Sequence, residues 1–99
     1  MNEIVPHFIA DITLYPSDRG GRRGPFIGDR FGCSAKLHEK DFTSWDCLIL
    51  TRGERFSPSE TKRFGMAFLN SEAAPLFRSM DKFLLWEGRI IGEARAVRD

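Results

Sequence analysis

Cysteine, tyrosine, net charge and long apolar runs are all scarce in this chain. Two cysteines, Cys33 and Cys47, occur among 99 residues, too few for the disulfide framework of a small extracellular scaffold. They stand fourteen positions apart with no Cys-x-x-Cys spacing, and with His7 and His38 they do not make a metal-ligand pattern. The formal charge of +1 creates no global field toward nucleic acid or membrane, so any anion binding must come from a local cluster. No apolar stretch approaches the roughly 18 residues of a membrane span, and no basic region followed by an apolar run opens the chain. Neither a signal peptide nor a transmembrane helix is therefore expected, and the expected setting is cytoplasmic. No Gly-x-x-x-x-Gly-Lys-Ser/Thr loop is present to cradle nucleotide phosphates, and no nucleophile-elbow sequence surrounds a serine. No nucleotide, cofactor or metal is expected, and the acids are scattered singly. These absences point away from an enzyme.

What is present is enough to fold. The hydrophobic fraction is 41%, with nine phenylalanines, and a chain of this length makes one domain with one modest core. After a lead-in over Met1 to Pro6, Phe8, Ala10, Ile12 and Leu14 alternate with Asp11 and Thr13, the pattern of a half-buried strand closed by Pro16-Ser17-Asp18. A second strand is expected over Arg30 to Leu37, with Phe31, Cys33, Ala35 and Leu37 facing in. His38 to Asp41 reads as a charged turn, and Trp45 to Thr51 as a strand covered on both faces. Ser57-Pro58-Ser59-Glu60 has the residues of a helix start, with Ser as N-cap, Pro at the first position and Glu closing a capping box. Yet Phe64, Met66 and Phe68 alternate, and Gly65 would weaken a helix by about 1 kcal/mol. Thr61 to Leu69 is read as strand, with helix as the competing assignment. Ser71 to Met80 is a connection with room for one helical turn, interrupted at Pro75.

The closing elements are two strands, Lys82 to Trp86 and Ile90 to Val97, joined by a tight hairpin at Glu87-Gly88-Arg89. Gly92, Ala94 and Ala96 give the last strand a face with almost no bulk, which suits the inside of a closed barrel. Six strands with short charged turns predict an all-β fold, a six-stranded antiparallel β-barrel.

One stretch stands apart from this rhythm. Arg19 to Phe26 reads Arg-Gly-Gly-Arg-Arg-Gly-Pro-Phe, too rich in glycine to be helix or central strand interior. It is a loop, running to about Asp29. Arg19, Arg22, Arg23 and Arg30, less Asp18 and Asp29, leave two excess positive charges. Guanidinium forks bind phosphate or carboxylate bidentately, and glycines let backbone N–H groups approach an anion. Three or four arginines on phosphates would give a log–log salt slope of about −2 to −4. The other reading is that Arg22 pairs with an acidic neighbour and pins its own loop, with Arg19 and Arg23 solvated.

Phe8-Ile9-Ala10-Asp11-Ile12, then Gly20-Gly21-Arg22, Pro25-Phe26 and Gly28, followed at the far end by Phe83 to Glu87, Gly88-Arg89 and Ile91-Gly92, resemble the C-terminal barrel domain of elongation factor Tu. The resemblance spans roughly Phe8 to Val97 and is specific only at its two ends; between His38 and Met80 strand rhythm alone matches. It implies the same six-stranded antiparallel barrel, and a surface that in that family meets a GTPase domain and aminoacyl-tRNA. The chain departs from the family at Asp29-Arg30-Phe31, where a Tyr-Arg-Pro run is usual, and at Glu93 and Arg95, where small or apolar residues are usual.

Together these readings predict a stand-alone barrel that docks onto another protein. Its expected contact residues are Arg19, Gly20, Gly21, Arg22, Arg23, Arg30 and Arg89. The alternative is a tRNA- or RNA-binding module using the same arginines; near-zero net charge, and arginines not interleaved with aromatics, favour protein. Cys33 and Cys47 are expected as buried free thiols, with a cross-strand disulfide as the other possibility. His7 and His38 are expected to be solvated or capping, Trp45 and Trp86 to lie in the core, and Glu93 and Arg95 to form a solvated face.

Overall fold

The computed structural model describes residues 4–98, so the first three residues of the lead-in lie outside the described residues. The strand periodicities close on themselves. Strands β1 (Phe8–Leu14), β2 (Phe31–Lys36), β3 (Trp45–Leu50), β4 (Thr61–Phe68), β5 (Phe83–Trp86) and β6 (Ile90–Ala96) form a closed antiparallel barrel in the order β1-β4-β3-β2-β5-β6, with β6 returning to β1. One short helix, α1 (Ala73–Arg78), lies between β4 and β5.

In β1 the alternation holds as read: Phe8, Ala10, Ile12 and Leu14 are buried, and Asp11 and Thr13 lie on the other face. The small-residue face of β6 also points inward, with Gly92, Ala94 and Ala96 buried. Its reason is steric. A Cβ on Gly92 would stand 2.3 Å from the Thr13 carbonyl oxygen, closer than any real contact, so the β1–β6 seam closes only over glycine.

Aromatic side chains fill the two ends of the barrel. At one end Phe8, Phe68, Phe77 and Phe83 pack together, with Phe77 from α1 stacked on Phe68 at 4.9 Å and edge-on to Phe83 at 5.0 Å. At the other end Phe26 lies 4.7 Å from Phe31, and Phe56 5.1 Å from Phe64. Such offset and edge-to-face pairs add stabilisation beyond the area they bury.

Several expectations are corrected here. Thr61–Phe68 is strand, as the alternation indicates, and it is the competing helix that falls: the Ser57–Glu60 capping residues serve a turn. Glu60 N–H donates to the Ser57 carbonyl, Pro58 occupies the second position, and Ser59 has φ 75°, the geometry of a type II turn. Glu60 Oε1 still accepts the Ser57 N–H at 2.7 Å, so the half-box forms without its helix. Pro75 does not interrupt α1. It is the third helical residue, where its missing N–H would have had no intrahelical partner. β3 is covered on both faces only at its end, at Ile49 and Leu50, because Asp46 is exposed and Leu48 half-buried. Trp45 packs half-buried against the core, but Trp86 does not enter it. With Phe83 and Leu85 facing in, Trp86 faces out, its ring 5.3 Å from the Lys36 ammonium. Glu93 is not on a simply solvated face: it is half-buried and accepts the Tyr15 hydroxyl at 3.1 Å.

Among the described residues no helix is long and apolar enough to cross a membrane.

Candidate docking surface

The arginine–glycine loop follows a 3₁₀ turn at Ser17–Arg19, whose last residue is followed by Gly20 at φ 91°. That positive φ turns the chain back across the β5–β6 hairpin, and Gly21 packs so tightly that a Cβ would stand 1.8 Å from the Tyr15 carbonyl oxygen. A side chain at Gly21 would push the loop off the barrel, and one at Gly20 would strain the left-handed backbone.

Two arginines then fasten the loop to the hairpin. Arg89 donates from Nε to the Gly20 carbonyl and from Nη2 to the Gly21 carbonyl at 3.0 Å. Arg22 donates from Nη1 to both carboxylate oxygens of Glu87, at 2.9 and 3.3 Å. Its guanidinium carbon also stands 4.9 Å from the Phe31 ring centroid and 5.9 Å from that of Phe26, within cation–π range. Of the two readings of Arg22, the structure holds the one in which it pairs with an acid and pins its own loop.

The far half of the loop is fastened to the segment after β3. Phe26 and Phe56 exchange backbone hydrogen bonds at 2.7 and 2.9 Å, Gly53 N–H donates to the Gly28 carbonyl at 3.0 Å, and Arg52 N–H to the Asp29 carbonyl at 2.9 Å. The Thr51 hydroxyl, a buried polar group, donates to the Gly28 carbonyl at 2.6 Å. The glycine-rich stretch is thus held at both halves.

Of the seven expected contact residues, Arg22, Arg23 and Arg89 line one shallow hollow with Gly24, Pro25 and Glu87. Gly20 and Gly21 shape the backbone beside it. Arg19 and Arg30 do not line it; both are exposed, at the loop's start and just before β2. The backbone N–H groups of Arg19 and Gly21 donate to the Pro16 carbonyl, and that of Phe26 to Phe56. Those donors are consumed within the fold, so no amide cradle for phosphate is built from them.

Sequence reasoning missed two parts of this surface. Ile27 is 68% exposed, standing outward between Phe26, which is bridged to Phe56, and Gly28. The signal was present in the alternation: if Phe26 faces in, its neighbour faces out. Sequence alone places Glu87 in a turn, and its pairing with Arg22 across 65 positions leaves no local trace.

No protein-family model and no curated protein matches this chain.

Proposed function

We propose that this barrel is a non-enzymatic docking module, which binds another protein through the arginine–glycine loop and the β5–β6 hairpin. The supporting observation is that a loop anchored at both halves presents an exposed apolar side chain, Ile27, with exposed Arg23 and Arg30 on the same segment. Apolar anchors and arginines are the residue types that carry interface energy. Holding them on a fixed backbone removes part of the ordering cost of binding. The implied partner surface is an apolar pocket flanked by carboxylates. The resemblance to the elongation factor Tu barrel points the same way, toward a contact surface.

The test compares wild type with Ile27→Asp/Arg30→Glu as bait for affinity capture, followed by titration of the captured protein. The variant is expected to bind at least about tenfold more weakly, about 1.4 kcal/mol. The same proteins captured with equal affinity by both baits would remove this surface from the function. In parallel, binding to tRNA at low salt is expected to be absent. A salt slope of about −2 to −3 that falls when Arg23 is replaced by Ala would place these arginines on phosphate instead.

A further inference from the structure

Cys33 and Cys47 are register partners across β2 and β3, and their sulfurs stand 3.7 Å apart. Directly opposed residues in antiparallel strands have Cα atoms about 4.5 or 5.5 Å apart, and both spacings fall in the roughly 4.4–6.8 Å window of disulfides. Bringing the sulfurs to a bond length of about 2.0 Å needs a closure of about 1.7 Å, which side-chain torsions supply without strand slippage. Cys33 is half-buried and Cys47 is 2% exposed, so Cys33 is the less buried of the two.

We propose that this pair is a reversible two-electron oxidation site, in which a hydroperoxide converts the two thiols into a cross-strand disulfide and a small-molecule thiol restores them. In the first step the Cys33 thiolate attacks the peroxide O–O bond, releasing an alcohol, or water from hydrogen peroxide, and leaving a sulfenic acid. In the second the Cys47 sulfur attacks the Cys33 sulfur, the S–O bond breaks, and water leaves. The sum is two thiols and one hydroperoxide giving one disulfide, one alcohol and one water. The hydrogen bond to Cys47, and then burial, push the Cys33 thiol well above its ordinary ionisation range. Since the thiolate is the nucleophile, oxidation quickens as pH rises into the alkaline range.

Reduced wild-type protein is treated with hydrogen peroxide, denatured, exposed to N-ethylmaleimide and weighed intact. The expected product is lighter by two hydrogens, takes up no maleimide, remains monomeric without reductant, and returns to the starting mass with dithiothreitol. Cys33→Ser, at the half-exposed position, loses that product, and its Cys47 stays open to maleimide after unfolding. Wild-type product that is heavier by oxygen atoms with one thiol still reactive, or that consists only of disulfide-linked dimers, overturns the proposal. So does wild-type protein whose two thiols both survive peroxide.

Discussion

Tyr15, the single tyrosine of the chain, shows how one side chain reports its surroundings. Its hydroxyl donates to Glu93 Oε1, whose carboxylate also has Lys82 at 4.0 Å and Arg95 at 3.9 Å. Burial first, and the hydrogen bond and charge of Glu93 next, push the phenol above its ordinary value of 10.0. The folded protein therefore holds this proton to higher pH than the unfolded chain does. The resulting stability is complete below about pH 10 and is lost as pH rises through the folded value. Titrating the phenolate absorbance band of the folded protein is expected to give a midpoint above 10, and Glu93→Gln to lower it only part of the way, since burial persists. A wild-type midpoint at or below the ordinary value would refute the contact. Asp11 behaves oppositely. Two hydrogen bonds from Arg63, at 2.8 and 3.1 Å, hold its carboxyl below the usual carboxylate value. That contribution is present at neutral pH and is lost as acid titrates Asp11 through its lowered value. Both partners are largely exposed, so the pair adds little to stability.

Among the elements, the loop between β1 and β2 depends most on remote residues. Replacing Arg89 by Ala removes both donors to the Gly20 and Gly21 carbonyls while leaving the barrel strands paired. The expected result is faster amide hydrogen exchange across residues 20–29, a global loss of about 1 kcal/mol, and unchanged exchange in β1 and β4. Unchanged exchange in the loop would show that Arg22 and the Phe26–Phe56 bridge suffice. How much of this was legible follows from the range of each interaction. Period-two alternation is local, so β1, β2, β4 and the β5–β6 hairpin could be read from neighbouring residues. The half-formed capping box at Ser57–Glu60 keeps a helix in competition because its hydrogen bond serves a turn as well as a helix. Pro75 misled because a proline's effect depends on its place in the helix, which the residue itself does not reveal. The site was least legible. Its arginines could be named, but the division into clasps (Arg22, Arg89) and outward groups (Arg19, Arg23, Arg30) is decided by Glu87 and by carbonyls far along the chain.

At the scale of the molecule, the core is a column of side chains closed at one end by α1. Phe77 is fully buried there and touches Phe68 and Phe83, so a six-residue helix acts as a stopper. Phe77→Ala is expected to cost about 3–5 kcal/mol. Against a typical total of about 5–15 kcal/mol, that is a large share, and a denaturant midpoint moved by less than a third of this amount would show that α1 is dispensable. The seam between β1 and β6 has a further consequence, for the chain as it is made. A ribosome delivers Phe8–Leu14 first among these strands and Ile90–Ala96 last, yet the two must lie side by side. Until that last strand emerges, β1 and β5 each keep one bare edge, because β6 is the neighbour both lack. Unpaired edges recruit other strands, so a nascent chain stalled before Ile90 is an assembly hazard. The hazard ends only when the glycine and two alanines of β6 arrive and the ring shuts.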